Sequence, residues 1–331
     1  MSHFGWEVIG KISGGRFSDI YKVSKANEKI YALKIVDPDD LKPPHSIRNE
    51  IKILEDLENA KRINGREIIN VVSLIDVKNT NMEYGLLFPY YDMTLYKLIN
   101  INIKKRSKFN PDGSIDRVPV NKMELSHINK IIIGILQGLE WIHSQDIIHR
   151  DINPNNILFS ESNLDVPVII DFGISYQGND NNGLESSDKK FTDIATGIFK
   201  APELLLSKRD YTNKVDIWAV GVIMTLLLSD NGESPFDDDS MHSDLVLLSN
   251  IISTFGSPPS DWSDCKTLSS FESMNNTFFT KPAKPLNVIV PKLFNEKSNF
   301  NENLEKVFTS FVSYECIDRL SASDALKILL S

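Results

Sequence analysis

The sequence predicts an α+β fold, with a β-rich N-terminal part that carries one helix and a mainly helical C-terminal part. Residues 6–36 contain short runs rich in Val, Ile and Tyr, interrupted at Gly14-Gly15, which is typical of strands joined by a turn. After Asp92 the apolar residues recur every three or four positions, which is the spacing of one helix face. This change of period predicts two parts with different secondary structure.

The N-terminal part contains one helical pattern between strand-like runs. Ser46 is a residue type that caps helix N-termini, and apolar residues with helical spacing follow it over about 47–57. Two further strand-like runs lie near residues 71–76 and 84–89. We therefore expect one main helix in an otherwise β-rich region.

The C-terminal part is predicted to consist of apolar and amphipathic helices. The most regular pattern occupies one helix face and is flanked by apolar residues, which predicts a buried helix. It comprises Ile128, Ile131, Ile132, Ile135, Leu139 and Ile142. Further helical stretches cover about 214–228, 243–255, 303–313 and 321–330.

Three polar stretches, at residues 102–121, 177–190 and 257–301, are predicted to be loops. The first contains a basic cluster, Lys104-Lys105-Arg106 and Lys108. Such a cluster suits contact with an acidic partner or a nuclear address. A solvated loop is the simpler interpretation, which we adopt for the sequence taken alone.

Composition excludes several classes of function. The 331 residues are 41% hydrophobic and 24% charged, as in ordinary globular proteins, and the net charge of −9 argues against general nucleic-acid binding. Cys265 and Cys316 are too few for a disulfide framework. The longest apolar run, Ile217 to Leu228, is too short to cross a bilayer, and the N-terminus lacks a signal-peptide pattern. We expect a soluble protein of the cytoplasm or nucleus that binds neither nucleic acid nor membranes.

Three motifs in a fixed order carry the chemistry. The string His149-Arg-Asp-Ile-Asn-Pro-Asn-Asn156 precedes Asp171-Phe172-Gly173, and Ala201-Pro202-Glu203 follows. The first residues of the last two motifs are thirty positions apart, and Asp171 comes twenty after Asp151. Together these motifs resemble the catalytic core of eukaryotic protein kinases.

The resemblance covers nearly the whole chain. It implies a bilobal α+β fold, with a small lobe over about 1–88, a hinge over about 89–92 and a large lobe over about 93–331.

The resemblance also implies roles for the motif residues. Phosphoryl transfer requires a hydroxyl aimed in line at the γ-phosphate of ATP and cations that hold the phosphate charge. Asp151 would accept the hydroxyl proton, while Asn156 and Asp171 would be the oxygen ligands of Mg²⁺. Lys34 lies in Tyr31-Ala-Leu-Lys34, like the lysine of the kinase strand that pairs with the phosphates, and Glu50 is its expected helix partner.

The remaining nucleotide contacts are expected in the phosphate-covering loop, the hinge and the walls of the adenine site. In the family, the residue after a bulky gatekeeper accepts from the adenine and the second residue beyond it donates an N–H. Phe88 would be the gatekeeper, Pro89 the acceptor and Tyr91 the donor. The full set of expected ATP-binding residues is Ile12, Gly15, Ile20, Ala32, Lys34, Glu50, Phe88, Pro89, Tyr91 and Leu158.

The chain departs from the kinase pattern in two places. Ser13 and Ser18 replace two glycines of the phosphate-covering loop, which leaves Gly15 at the central position. Asn153 stands where most Ser/Thr kinases have a lysine that offsets γ-phosphate charge, and the loss of such a donor can lower the rate by about 10²–10³. We expect Asn153 and Thr196 to position the substrate, and a Thr at the latter position favours Ser/Thr substrates.

The closer resemblance is to the cyclin-dependent-kinase branch. The segment 247–262 is similar to a helix, turn and Trp of that branch, and Leu86–Ile99, Ile169–Tyr176 and Thr192–Glu203 resemble the single-chain cyclin-dependent-kinase-activating kinases of budding yeasts. This implies that a cyclin-dependent kinase is the protein substrate and that the chain works as a monomer without cyclin. The alternatives are a pseudokinase scaffold and an active kinase with another protein substrate.

The sequence also raises the question of how the activation segment is held. Arg150 precedes the catalytic Asp, where the family uses an arginine to bind a phosphate on this segment. Phe191 stands where related kinases carry the phosphorylated Thr, and Thr192 is one position away. We therefore expect activity without that phosphate, aided by Asp188 or Asp193.

Overall fold

Six antiparallel strands form the curved sheet of the N-terminal lobe. The structure is a computed structural model that describes residues 2–15, 17–25, 29–65, 69–112, 114–178, 185–236, 243–272, 280–295 and 299–331. The strands are β1 (Ser2–His3), β2 (Trp6–Gly14), β3 (Asp19–Ser24), β4 (Ile30–Val36), β5 (Asp76–Asn79) and β6 (Tyr84–Pro89). Their order in the sheet is β1-β2-β3-β4-β6-β5. In this register Ile20 lies opposite Lys34, and Ala32 opposite Phe88.

One long helix, α1 (Ile47–Asn64), packs against this sheet. Its N-terminus is capped by Ser46, whose hydroxyl accepts a hydrogen bond from the backbone N–H of Asn49, and Gly65 ends it in the left-handed conformation that favours glycine. Ile47, Ile53, Leu54 and Leu57 on this helix are buried, and Ile51 is partly buried. The helix therefore starts where the sequence predicted and runs beyond the expected end near 57.

The C-terminal lobe is mainly helical. Its helices are α2 (Leu95–Asn102), α3 (Leu125–Ser144), α4 (Pro202–Leu205), α5 (Lys214–Leu228), α6 (Asp244–Phe255), α7 (Ser269–Glu272), α8 (Leu286–Ile289), α9 (Asn299–Phe311) and α10 (Ala322–Leu329). Its strands are β7 (Met93–Thr94), β8 (Ile103–Phe109), β9 (Ile115–Asn121), β10 (Ile147–Ile148), β11 (Ile157–Ser160), β12 (Asn163–Ile169) and β13 (Tyr176–Gln177). In the described parts of the chain, 3₁₀ turns lie at Pro38–Asp40 in the N-terminal lobe and at Gly197–Phe199 and Pro291–Phe294 in the C-terminal lobe.

Helices α3 and α5 lie at the centre of the large lobe. The isoleucine face of α3 is buried as predicted, and α5 is buried on nearly all sides. A helix that is apolar all round belongs in a core, so a charged residue there needs specific partners. Asp216, in the first turn of α5, is such a residue. Within the described part of the chain, no helix has the length and apolar character needed to cross a membrane.

Two of the predicted loops contain regular structure. Within the first of them, β8 and β9 form an antiparallel β-hairpin, paired from Ile103↔Asn121 to Phe109↔Ile115. Charged residues on both faces hide the alternation that marks a half-buried strand, which is why the sequence suggested a loop. The stretch 257–301 contains α7, α8, a 3₁₀ turn and the start of α9. Of the loop 177–190, residues 179–184 lie outside the described residues.

The strand expected near residues 71–76 is also largely wrong. Only Val71 makes a β-bridge, to Ile169, and the strand β5 begins at Asp76. Val71 and Val72 are buried in the large apolar cluster, next to a segment whose Ile169 carbonyl accepts from the Val72 N–H and whose Ile169 N–H donates to the Asn70 carbonyl. An apolar run in this segment thus reflects packing between the lobes rather than a strand.

Candidate active site

The catalytic loop lies between β10 and β11, and Asp216 fixes its backbone. The Asp216 carboxylate accepts hydrogen bonds from the backbone N–H groups of His149 (2.9 Å) and Arg150 (2.8 Å), and from the His143 ring (2.9 Å). Arg150 has a φ of 72°, a conformation that costs free energy for a residue with a Cβ. The hydrogen bonds of Asp216 therefore hold the turn that presents Asp151.

Three side chains donate hydrogen bonds to the Asp151 carboxylate. Thr196 Oγ1 lies 2.6 Å from Oδ1, Asn153 Nδ2 lies 3.0 Å from the same oxygen, and Asn156 Nδ2 lies 2.7 Å from Oδ2. The Asp151 carboxylate is thereby fixed in orientation by the activation segment on one side and by its own loop on the other. A positioned carboxylate of this kind is suited to accept a proton from a substrate hydroxyl.

The side chain of Asn153 makes its hydrogen bonds within the catalytic loop. Its side chain is almost fully buried, donates to Asp151, and accepts from the backbone N–H of Asn155 at 2.9 Å. A lysine cannot make the second of these bonds because it has no acceptor. Asn153 thus orients Asp151 and the following turn, and it does not replace the positive charge that the family has here.

Lys34 connects the small lobe to the Asp171 motif. Its Nζ lies 2.7 Å from Glu50 Oε1 on α1 and 2.9 Å from Asp171 Oδ1. Burial opposes the charged form, but the Asp171 and Glu50 carboxylates outweigh it and raise the pKa of Lys34. The Lys34 ammonium in turn lowers the pKa of Asp171, although burial opposes this. All three groups lie in one cleft beneath the phosphate-covering loop.

The Asp171 motif is locked to its surroundings through Phe172 and Gly173. The Phe172 ring is buried edge-on to the His149 ring, with centroids 5.0 Å apart. The Gly173 carbonyl accepts from the backbone N–H of Ser46, at the start of α1. Asp171 itself has a φ of 66°, so this arrangement holds a strained backbone in place.

Asn156 and Asp171 fit a divalent cation in their chemistry. The Asn156 amide nitrogen donates to Asp151, so its amide oxygen is the group left for a cation. The Asp171 side chain is 43% exposed. An amide oxygen and a carboxylate are hard ligands of the kind that Mg²⁺ takes, with phosphate oxygens and water completing the octahedron. No cluster of three or more His, Cys, Asp or Glu suited to a metal occurs among the described residues. A site with two protein ligands that depends on the nucleotide phosphates does not need one.

The phosphate-covering loop is closed by a backbone hydrogen bond and by side-chain contacts. The backbone N–H of Gly15 donates to the Ser18 carbonyl, and a salt bridge of 2.7 Å joins Lys11 to Asp19 across the turn. The Phe17 ring packs on His45, with centroids 4.0 Å apart. Beneath the loop lies a cleft of about 140 Å³, lined among others by Lys34, Glu50 and Asp171.

The expected adenine-site residues fall on the two sides of the inter-lobe connection. Ala32 and Phe88 are neighbours on β4 and β6, and Ile20 lies next to Lys34 across β3 and β4. Ile12 on β2 is about half exposed. On the other side, Leu158 pairs with Thr94, directly after the hinge. Pro89 ends β6, and Tyr91 follows it in the connection between lobes.

The sequence missed the partner of Arg150. The two terminal nitrogens of its guanidinium, Nη1 and Nη2, donate to Glu185 at 2.8 and 2.9 Å, and Glu185 also accepts from the backbone N–H of Phe191 at 2.6 Å. Both side chains of this ion pair are buried. Glu185, rather than Asp188 or Asp193, is therefore the anion that holds Arg150. The sequence did not point to Glu185, because Glu185 lies several residues before Thr192 and reaches Arg150 only through the fold of the segment.

A second buried ion pair, between Glu203 and Arg319, lies at the end of the activation segment. Glu203, of the Ala-Pro-Glu motif, accepts two hydrogen bonds from Arg319, at 2.7 and 2.8 Å, and neither side chain is exposed. Arg319 also donates to backbone carbonyls, including that of Ser313. This pair connects the end of the activation segment to the C-terminal helices and has a structural role.

Comparison with known proteins agrees with this geometry. The family described as protein kinase domain matches residues 6–329. The chain is 31% identical to the Serine/threonine-protein kinase CAK1 of Saccharomyces cerevisiae, over 69% of the chain and 68% of that protein. It is 27% identical to Cyclin-dependent kinase 7 of Xenopus laevis, over 97% of the chain and 80% of that protein.

It is also 30% identical to Cyclin-dependent kinase-like 2 of Oryctolagus cuniculus, over 73% of the chain and 37% of that longer protein. The lysine, glutamate and aspartate of the cleft and the fixed carboxylate of the catalytic loop are the parts of an ATP-dependent phosphotransferase. The chain belongs to the protein kinase family, as a serine/threonine kinase of the cyclin-dependent-kinase-like branch.

Proposed function

We propose that this kinase activates cyclin-dependent kinases by transferring the γ-phosphate of ATP to the threonine of their activation loop. Two facts support this choice of substrate. Three segments, Leu86–Ile99, Ile169–Tyr176 and Thr192–Glu203, resemble the cyclin-dependent-kinase-activating kinases of budding yeasts. Serine/threonine-protein kinase CAK1 and Cyclin-dependent kinase 7 are among the relatives that match most of the chain.

The observation that carries the catalytic part is the position of Asp151 against Thr196. The 2.6 Å hydrogen bond between them joins the catalytic loop to the activation segment, as a site for a Ser or Thr hydroxyl requires. The Lys34–Glu50 ion pair is formed at the same time. A scaffold without catalysis has no need for both, so the geometry favours an active enzyme over a pseudokinase.

In this proposal each residue has one task. Lys34, held by Glu50, would neutralise the α- and β-phosphates, while Asn156 and Asp171 would hold Mg²⁺, which stabilises the charge of the transferred group. Asp151 would take the proton from the substrate threonine, with Asn153 and Thr196 keeping its carboxylate in line. The adenine would lie between Ala32 and Leu158, with the backbone of Pro89 and Tyr91 at its edge.

The segment of the enzyme that faces the substrate is held without a phosphate. Because Glu185 already neutralises the buried Arg150, the activation segment has its anion in the chain itself. We therefore expect the monomer to be active as synthesised, without cyclin and without a phosphate on Thr192.

The test is transfer of the γ-phosphate from Mg·ATP to a purified cyclin-dependent kinase. Its activation-loop Thr→Ala variant and the Asp151→Asn enzyme are the controls. Incorporation confined to that threonine and dependent on Asp151 would support the proposal. Phosphorylation of a generic substrate but not of the cyclin-dependent kinase would mean that the enzyme acts on a different protein.

A further inference from the structure

We propose that the hairpin of β8 and β9 is a docking element for an acidic segment of the protein substrate. The hairpin carries five cations, Lys104, Lys105, Arg106, Lys108 and Arg117, and only two carboxylates. The whole chain has a net charge of −9, so the net positive charge of the hairpin contrasts with that of the molecule. An acidic segment is the partner chemistry that such a charge distribution complements.

The hairpin's own carboxylates do not neutralise its cations. Asp112 accepts from the backbone N–H and the hydroxyl of Ser114, and Asp116 accepts from Asn110 Nδ2 at 2.8 Å. The described parts of the chain contain no ion pair to any of the five cations. All five side chains are exposed. Their charges therefore remain available to another molecule.

The pairing register divides these cations between the two faces. Lys104, Arg106 and Lys108 alternate along β8 and project to one face, whereas Lys105 and Arg117 project to the other. At the tip, Phe109 and Ile115 are paired across the strands and are 76% and 58% exposed. In this register the apolar pair shares the face of Lys105 and Arg117, whereas three cations in a row line the opposite face. A segment that combines acidic and apolar residues and contacts both faces at the tip fits this arrangement.

The base of the hairpin is fixed to the large lobe. The buried Asn121 side chain donates to the carbonyls of Leu227 and Ser229, at the end of α5. Lys292 donates to the carbonyls of Asn121 and Met123. An isolated two-stranded hairpin is only marginally stable, so this anchoring presents its charges in a preset arrangement and lowers the entropy lost on binding.

The hairpin lies within reach of a substrate bound at Asp151. Helix α2 leads directly into it, and the backbone N–H of Tyr96, in the first turn of α2, donates to Pro154 of the catalytic loop. The helix spans about 12 Å and the hairpin strands about 23 Å. The tip is therefore no more than roughly 35 Å along these elements from the catalytic loop, whereas a folded domain of kinase size measures on the order of 50 Å.

Lysines on exposed strands also prevent edge-to-edge aggregation, and the experiment must separate this role from docking. The variant Lys104→Glu/Arg106→Glu/Lys108→Glu reverses one face. The variant Lys266→Glu/Lys284→Glu/Lys306→Glu changes the net charge equally at exposed positions elsewhere in the large lobe. Both are compared with the unmodified kinase in solution, with light scattering to check that each stays monomeric.

The kinetic arm rests on the proposed function, because its substrate is a purified cyclin-dependent kinase. We expect the hairpin variant to raise KM for this protein roughly tenfold at low salt, with the difference shrinking at about 0.5 M salt. Its kcat, its KM for ATP and its activity on a short peptide should match those of the control variant. Equal kinetics of the two variants, or a loss explained by aggregation, would overturn the inference.

A binding arm does not depend on the identity of the substrate. A fluorescent peptide of roughly ten residues with alternating Glu and Leu should bind the unmodified kinase and the control variant, and should bind the hairpin variant roughly tenfold more weakly. Equal or tighter binding of single-stranded DNA or of phosphatidylserine vesicles to the same face would overturn it. If the unmodified kinase leaves the cyclin-dependent kinase unphosphorylated but shows this peptide result, the proposed function fails and the docking role stands.

Discussion

Asp151 shows how far single residues could be predicted from the sequence. Its position in the His-Arg-Asp motif identified it as the candidate base, and Thr196 was expected to position the substrate. The contact of Asn153 with the Asp151 carboxylate was not expected, because the residue was compared only with the lysine that it replaces. The side chain is short enough to fold back into its own loop, and this can be seen only in three dimensions.

Substitution of Asp151 by Asn should abolish most activity without unfolding the protein. The amide keeps the size of the side chain and its contact with Thr196 but cannot accept the substrate proton. We expect kcat to fall by roughly 10²–10⁴. Single-turnover phosphorylation of a peptide and the melting temperature measure the two effects. Near-normal turnover of a folded variant would remove Asp151 from the role of base.

Asn153 provides a second test at the residue scale, with two substitutions that separate its contacts. Asn153→Ala removes both the donor to Asp151 and the acceptor of the Asn155 N–H, so kcat should fall roughly tenfold and the free energy of unfolding by about 1 kcal/mol. Asn153→Lys also loses the acceptor but keeps a donor and adds the cation typical of the family. Its kcat should be equal to or above that of the unmodified enzyme, measured with the same peptide. A clear loss of kcat in the Lys variant would show that the loop depends on the Asn155 hydrogen bond.

At the scale of elements, the sequence predicted the bounds of helices more accurately than the positions of strands. Helix α5 spans Lys214–Leu228, as its apolar run predicted, because a completely buried helix leaves a continuous signal. The hairpin of β8 and β9 gave no such signal, since both of its faces carry charge. The activation segment was equally hard to predict, because Glu185 reaches Arg150 through the fold of the chain and not through spacing.

The Glu185–Arg150 pair predicts how this segment responds to substitution. Glu185→Ala leaves a buried guanidinium without its anion, and removal of one partner of a buried pair typically costs about 3–5 kcal/mol. We expect a lower melting temperature and at least a roughly tenfold loss of activity on a protein substrate. Asp188→Ala is the matched control, since this exposed carboxylate of the same segment does not pair with Arg150.

The same pair predicts independence from phosphorylation. Kinase made in bacteria and treated with phosphatase should keep its full activity, and so should the Thr192→Ala variant. Activity that strictly requires a phosphate on Thr192 would contradict the role given to Glu185.

For the whole molecule, two apolar clusters are connected through polar contacts at the cleft. A small cluster around Trp6, Leu33 and Leu87 lies in the outer part of the N-terminal sheet, while α1 shares one large cluster with the C-terminal lobe. Lys34 bridges the sheet, α1 and Asp171, so the relative position of the lobes and the nucleotide site depend on the same ion pairs. The sequence predicted the two lobes from their periodicities, but the assignment of α1 to the larger core required the structure.

Acid stability should depend on buried carboxylates of the large lobe, and Asp216 offers a clear case. Burial alone would raise the pKa of Asp216, but the hydrogen bond from His143, the nearby His149 ring and the backbone donors outweigh it and hold this pKa below its ordinary value of 3.8. A carboxyl whose pKa is lower in the folded state stabilises the fold above its unfolded pKa and loses this contribution as the pH falls through the folded value. Asp216→Asn should therefore lower the melting temperature by a constant amount from about pH 7 to pH 5, with the difference shrinking below about pH 4. Calorimetry over this range measures the effect, with Asp261→Asn as the exposed control, and a difference that stays constant down to pH 3 would refute this account of Asp216.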